Sequence, residues 1–283
     1  MKIFGVAVMK NESDIVRPFL EHSSTWCDRI FVYDNGSIDG TWQIVQEMAS
    51  DVIVAWKSED VPFHNSLRAR VFNAFRNEAQ PGDWWCYRLD ADEFYIDNPR
   101  EFLASVPERY HTVYRKCINY RVSLEDAEQY QFTGDFAQDR QYLRYFLPKG
   151  GVERRFIRHR EGLVWTEEKG LNYTGVTCPD MIQAQHYRWR SPQQIQKRLD
   201  SKREYLLRKA ERKNRVDRKQ RVDELYAAEN WRDLCPPRSK MILDTGPESW
   251  EKLRWPDKKI DRVTESGFSY LFKRLLHTLK ILR

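Results

Sequence analysis

Pro81-Gly82-Asp83-Trp84-Trp85-Cys86-Tyr87-Arg88-Leu89-Asp90-Ala91-Asp92-Glu93-Phe94 sets an apolar run between a turn signal and a burst of carboxylates. Pro81-Gly82 breaks whatever precedes it, Trp84–Leu89 reads as a short buried strand, and Asp90, Asp92 and Glu93 follow without a spacer. Upstream, the same order of strand then polar turn recurs. Ile3–Met9 is an apolar run ending in Lys10-Asn11-Glu12, Arg29–Tyr33 ends in Asp34-Asn35-Gly36-Ser37, and Val52–Trp56 is a third strand. Ser13–Trp26, Thr41–Ala49 and Leu67–Ala79 have helical spacing between them. Ile15, Val16, Phe19 and Leu20 share one face of the first helix, and Pro18 lies near its start, where a missing donor costs little. Strand and helix in alternation imply βαβ units on a mostly parallel sheet, an α/β fold. Ligands of such sheets bind beyond the carboxyl ends of the strands, where the polar residues of this chain collect.

Asp90-x-Asp92 at a strand end can place two carboxylates on one side of the backbone. Hard divalent cations take oxygen ligands: Mg2+ uses one or two carboxylates plus substrate phosphates, and Mn2+ suits the same groups. An isolated D-x-D is more often a solvated acidic turn. The strand before this one and Glu93-Phe94 after it favour the metal site.

Tyr33-Asp34-Asn35-Gly36-Ser37-Ile38-Asp39-Gly40-Thr41 resembles the D-N/D-G-S-x-D-G-T turn of family 2 glycosyltransferases. Lys10-Asn11-Glu12 and Asp90-Ala91-Asp92-Glu93-Phe94 resemble that family's other two signatures, in the same order. The resemblance covers roughly residues 1–190 and implies the GT-A nucleotide-sugar fold, with bacterial surface-glycan enzymes as the nearest likeness. It implies a metal-dependent transferase, inverting, that moves a sugar from a nucleotide-sugar donor, a UDP-sugar in the first instance. The acceptor would be a glycan or a lipid-linked molecule of lipopolysaccharide, capsule or other surface polysaccharide. By the same resemblance Asp34 or Asn35 would meet the nucleobase or ribose, and Val8 and Lys10 would lie beside the base. Asp90 would touch the ribose or the metal through water, Asp92 would ligate Mn2+ or Mg2+, and Glu93 would support the metal shell or the donor sugar. His186, in His186-Tyr187-Arg188-Trp189-Arg190-Ser191, is the candidate third metal ligand, since a neutral imidazole ligates well. An inverting transfer needs a base for the acceptor hydroxyl. Glu167 and Glu168 occupy the expected region, with Asp135 and Asp139 as rivals. Arg154, Arg155, Arg158 and His159 could clamp a diphosphate, but read more simply as a strand with one exposed basic face.

Among 283 residues, 41% are hydrophobic and 32% charged, and the formal net charge is +6, so anionic partners are expected. The five cysteines are scattered with no CxxC pair, so neither a zinc site nor a disulfide framework is indicated, and a reducing compartment is favoured. No signal peptide and no apolar run of spanning length is read, so a cytoplasmic protein is expected. Ser191-Pro192-Gln193-Gln194 is a helix start of capping-box form. Between His186 and Glu224 there are 14 Lys or Arg against 6 Asp or Glu. Residues 191–283 are therefore expected to form a basic helical extension beyond a 1–190 transferase domain. Phe268, Leu271, Phe272, Leu275, Leu276, Leu279 and Leu282 fall on one helical stripe with Lys273, Arg274, Lys280 and Arg283 off it. That pattern predicts an amphipathic helix over 267–283 lying on an anionic membrane face. Two other readings stand beside these. Nucleic-acid binding lacks any recognisable motif, and a nucleotidyltransferase would carry a Gly-rich phosphate loop after its first strand, where Met9-Lys10-Asn11-Glu12 has none.

Overall fold

The computed structural model describes residues 1–166, 170–171, 175–201 and 228–256. The expected C-terminal membrane helix, 267–283, and the Glu167-Glu168 pair lie outside the described residues. The chain divides into two units that interleave along the sequence: Met1–Ile118 with Gly150–His186, and Asn119–Lys149 with Tyr187–Arg254.

The first unit opens with β1 (Ile3–Met9), α1 (Val16–Ser24), β2 (Arg29–Asp34), α2 (Thr41–Glu47), β3 (Ile53–Ser58) and α3 (Ser66–Phe75). β4 (Trp84–Cys86), β5 (Glu93–Tyr95) and α4 (Pro99–Ser105) follow. β6 (Thr112–Arg121) runs on into the second unit, β7 (Tyr145–Phe146) belongs to that unit, and β8 (Gly151–Arg158) returns to the first. Strands β9 (Trp165–Thr166) and β10 (Gly170–Leu171) pair with each other, and β11 (Thr177–Trp189) carries the chain back into the second unit. All seven residues of β1 are buried, because the strand lies mid-sheet with β2 and β4 as parallel neighbours. Phe4, Val6 and Val8 pack with Leu67, Val71 and Phe72 of α3, joined by Phe31, Trp85 and Ile157.

The sheet is mixed, which corrects the expectation of a mostly parallel one. β3, β2, β1 and β4 are parallel, whereas β8 pairs antiparallel with β4 and with β6, and β11 pairs antiparallel with β5. Parallel neighbours need a crossover of a dozen or more residues. The regular βαβ alternation of the first ninety residues does not continue into β6, β8 and β11.

Strand β4 also stops three residues earlier than its apolar run. Leu89 donates its N–H to the Val6 carbonyl (3.0 Å) while Tyr87 donates to Arg155 of β8 (3.2 Å). The chain bulges between these two anchors. Gly5 makes room for the return, since a Cβ there would stand 2.6 Å from Leu89 Cδ2. The acidic turn thus starts from a residue pinned to β1.

In the second unit, α5 (Leu124–Gln129) is capped by Ser123, and α6 (Phe136–Asp139) by Asp135. β12 (Ile242–Leu243) pairs with β7. Residues 192–201 are helical, and Ser191 Oγ accepts from Gln194 N–H (3.2 Å) as its sequence predicts. The Gln194 side-chain Oε1 accepts from Arg190 N–H (3.3 Å) rather than from that of the cap residue. Among the described residues no helix is long and apolar enough to cross a membrane. All five cysteines are buried and none is in a disulfide.

Candidate functional site

The loops after β1 and β2 are laced together by hydrogen bonds. Asn11 N–H donates to Ser37 Oγ (2.9 Å), Glu12 N–H to Thr41 Oγ1 (2.8 Å), and Ser13 N–H to Asp39 Oδ2 (3.0 Å). Asn11 accepts from Ile38 N–H (2.9 Å) while holding φ at 56°, a left-handed conformation that Asn tolerates. Burial would raise the Asp39 carboxyl, but hydrogen bonds from Thr41 and Ser13 outweigh it and hold its pKa below the usual value. Half of the D-N-G-S-I-D-G-T signature therefore builds the loop.

Asp34 is fully buried, and its Oδ2 accepts from Gly36 N–H (3.1 Å), Ser37 N–H (3.0 Å) and Ser58 Oγ (2.7 Å). Its other oxygen, Oδ1, is also buried and has no hydrogen-bond partner. Leaving such an acceptor unpaired costs about 1–3 kcal/mol. Asn35 donates to the Val61 carbonyl (3.2 Å), and Lys10 Nζ lies 3.3 Å from Asp60. Val8, by contrast, belongs to the hydrophobic core. At Gly36 (φ 84°) a Cβ would stand 2.6 Å from Asp60 Oδ1, so the segment after β3 closes tightly over this turn.

The same segment continues to the acidic turn. Arg68 on α3, nearly buried, donates to Asp90 Oδ1 (2.7 Å) and to Asn65 (3.1 Å), with its guanidinium over the Phe63 ring. Arg155 of β8 donates to Asp90 Oδ2 (3.0 Å) and grips Glu93 with two bonds, Nε to Oε2 (3.1 Å) and Nη2 to Oε1 (2.6 Å). Arg115 of β6 adds a third bond to Glu93 (2.7 Å), and Arg155 Nη1 pairs with Glu153 (2.9 Å). Burial raises the Asp90 carboxyl, but Arg155 and Arg68 hold it below its ordinary value, and Arg155 with Arg115 does the same for Glu153. Arg155 is 1% exposed, which corrects the reading of its strand as one exposed basic face. Val113/Tyr114 carries a register shift opposite this stretch, and Arg155, Phe156 and Ile157 are buried in succession, so both faces of β8 are covered there. Arg158 behaves differently, donating to the Tyr110 and Val106 carbonyls with its guanidinium over Trp84, and His159 accepts from Trp85 Nε1.

Asp92 has a different partner. His186 on β11 stands opposite Glu93 in the β5–β11 pairing, and its Nε2 lies 3.5 Å from Asp92 Oδ2. Asp92, Glu93 and His186 each offer one ligand atom within 4.8 Å of the others. Burial would depress the imidazole, but Asp92 and the Cys117 thiol raise its pKa to about 10. Asp92 thus favours the protonated ring, and a metal ion would take the place of that proton. Cys117, which a Cβ on Gly151 would crowd at 2.7 Å, contacts the same ring. A nitrogen and carboxylate oxygens fit Mn2+ better than Mg2+, which prefers an all-oxygen shell. Glu93 is engaged by Arg115 and Arg155, so of the three Asp92 and His186 are the groups that could hold an ion.

The two rival bases both accept backbone hydrogen bonds. Asp135 caps α6 through Ala137 N–H (2.9 Å), and Asp139 accepts from Thr133 and Gly134 N–H (both 2.9 Å). The arginines were not identifiable as carboxylate partners from sequence, because they lie 22–65 residues away from Asp90 and Glu93.

No family model matches the chain, and no curated protein matches it. Among solved structures, that of S. aureus TarS 1-349 in complex with UDP is similar at 12% identity and a TM-score of 0.37, over 70% of this chain and 63% of that one. Mannosyltransferase PcManGT from Pyrobaculum calidifontis, in complex with GDP-Man and Mn2+, is similar at 16% identity and a TM-score of 0.31. That match covers 56% of this chain and 44% of the other.

Proposed function

We propose that this chain is a GT-A-type glycosyltransferase that takes a sugar from a nucleotide-sugar donor with the help of a bound divalent metal. The observation that carries the reading is the convergence of Asp92, Glu93 and His186 within 4.8 Å beyond the bulged end of β4. The unpaired Asp34 oxygen supports it, as an acceptor suited to an N–H or O–H of the nucleotide. Asp92 and His186 would hold Mn2+, which when bound neutralises charge on the departing diphosphate. Arg155 and Arg68 fix the Asp90 and Glu93 carboxylates, so the turn keeps its shape when the metal and donor arrive. Lys10, at the rim of the Asp34 turn, supplies a cation near the nucleotide. The acceptor would be a glycan or lipid-linked molecule, with Glu167 or Glu168 as base in an inverting transfer and the 267–283 helix as a contact to an anionic membrane.

A panel of UDP-, GDP- and dTDP-sugars tests this by thermal unfolding with and without Mn2+. At least one nucleotide-sugar is expected to raise Tm in a metal-dependent manner, and duplex DNA is expected to leave it unchanged. If no nucleotide-sugar shifts Tm under either condition, the reading is wrong.

A further inference from the structure

The second unit contains a hollow of about 640 Å3 that none of the residues of the candidate site lines. Pockets that take small ligands span roughly 300–1,000 Å3. The floor is aromatic. Tyr130 and Phe132, just after α5, and Trp231 line it. Tyr142, which is not part of the lining, stacks on Tyr130 (centroids 4.4 Å apart) and meets Phe132 edge-on (5.6 Å), so both rings are held in place. Arg232 lies over the Trp231 ring at 4.6 Å. Gln196 ties the main chain at Trp231 to the helix at 192–201, accepting from the Trp231 backbone N–H (3.1 Å) while donating to Asp200 (3.0 Å).

The polar part of the lining has a definite chemistry. Gln131, Gln193 and Lys197 line the hollow, and their side chains form no hydrogen bond or ion pair among the described residues. Each amide offers a donor and an acceptor. Lys197 and Asp200 cancel in formal charge, and no arginine lines the space, so the lining is not built for a phosphate. A purely apolar ligand would leave the amides unused. Held aromatic faces beside neutral donor–acceptor groups match a molecule with an apolar face and many hydroxyls.

We infer that this hollow binds a neutral oligosaccharide. The binding itself needs neither nucleotide nor metal; only the identification of that sugar as the acceptor rests on the transferase reading. A hexose ring would lie against Trp231 or Tyr130 with its hydroxyls toward Gln131 and Gln193.

Isothermal titration of the full chain with cellobiose, maltotriose, lactose, chitobiose and mannobiose, without nucleotide or metal, tests the site. At least one of these is expected to bind with a millimolar or tighter Kd. Trp231→Ala and Gln193→Leu should each weaken it about tenfold or more, whereas Asp92→Asn should leave it unchanged. Gln193 is exposed, so its substitution decides the matter should Trp231→Ala disturb folding. Absence of binding by all five sugars, or binding indifferent to Gln193→Leu and Trp231→Ala, overturns the inference. Saccharide binding in a chain that no nucleotide-sugar stabilises leaves this site standing and removes the transferase reading instead.

Discussion

Two acidic turns close two parallel strands of the first unit, and they are held in opposite ways. Asp34, at the end of β2, is held by neutral donors from the turn that follows it and from Ser58. Asp90 and Glu93, after β4, are held by the guanidinium groups of Arg68, Arg115 and Arg155. The first turn keeps one carboxylate oxygen without a partner. The second spends Asp90 and Glu93 on cations and leaves Asp92 to pair with an imidazole. A carboxylate at a strand end is therefore not equivalent to a metal ligand; its partners decide which oxygen is offered to a ligand.

Arg155→Met breaks the contrast most severely. It removes the cation shared by Asp90, Glu93 and Glu153, and loss of one member of a buried ionic cluster typically costs about 3–5 kcal/mol. Chemical denaturation should show a loss of that order; a loss below about 1 kcal/mol would mean the carboxylates do not depend on it. Asp92→Asn should cost less in folding but far more in chemistry, lowering metal-dependent turnover about 100- to 1,000-fold. Turnover kept at the wild-type level under limiting Mn2+ contradicts the assignment. Asp34→Asn sharpens the other side. The amide oxygen can still hold the turn, but the unpaired acceptor becomes a donor, so nucleotide diphosphate affinity should fall by roughly 1–3 kcal/mol by calorimetry. Unchanged affinity would make this turn purely structural.

The smallest effect concerns Asp39. Its folded pKa is depressed, so its stabilisation is present above the ordinary value of 3.8 and is lost as pH falls through the lowered one. Asp39→Asn should destabilise by about 1 kcal/mol near neutral pH. The two proteins should converge in strongly acidic solution, and a constant gap across pH would disprove the charge contribution.

The parts legible in sequence are those whose causes are local. β1 and β2 follow from short apolar runs, and the helix start at Ser191 from its capping pattern. Asp92 and His186 were chosen from motif likeness, and they lie together. The mixed sheet was not legible, because strand direction past residue 110 depends on pairing between β6, β8 and β11 that no periodicity records. Arg155 was misread for a similar reason. An Arg-Arg-Phe-Ile-Arg run has the same pattern in an exposed strand as in a fully covered one, and only the carboxylates across the sheet distinguish them. Trp231 and Tyr130 carry no motif at all, and the hollow they line exists only once residues a hundred apart are brought together.

Calorimetric titration of Mn2+ in the presence of uridine diphosphate tests the central claim most directly, with wild type, Asp92→Asn, His186→Ala and Asp90→Asn compared. Wild type should bind one metal ion per chain. Loss of either Asp92 or His186 should weaken it beyond the roughly 10- to 100-fold that outer-shell changes produce, while Asp90→Asn should stay within that range. Wild-type affinity in both Asp92→Asn and His186→Ala, or a loss confined to Asp90→Asn, would contradict the account.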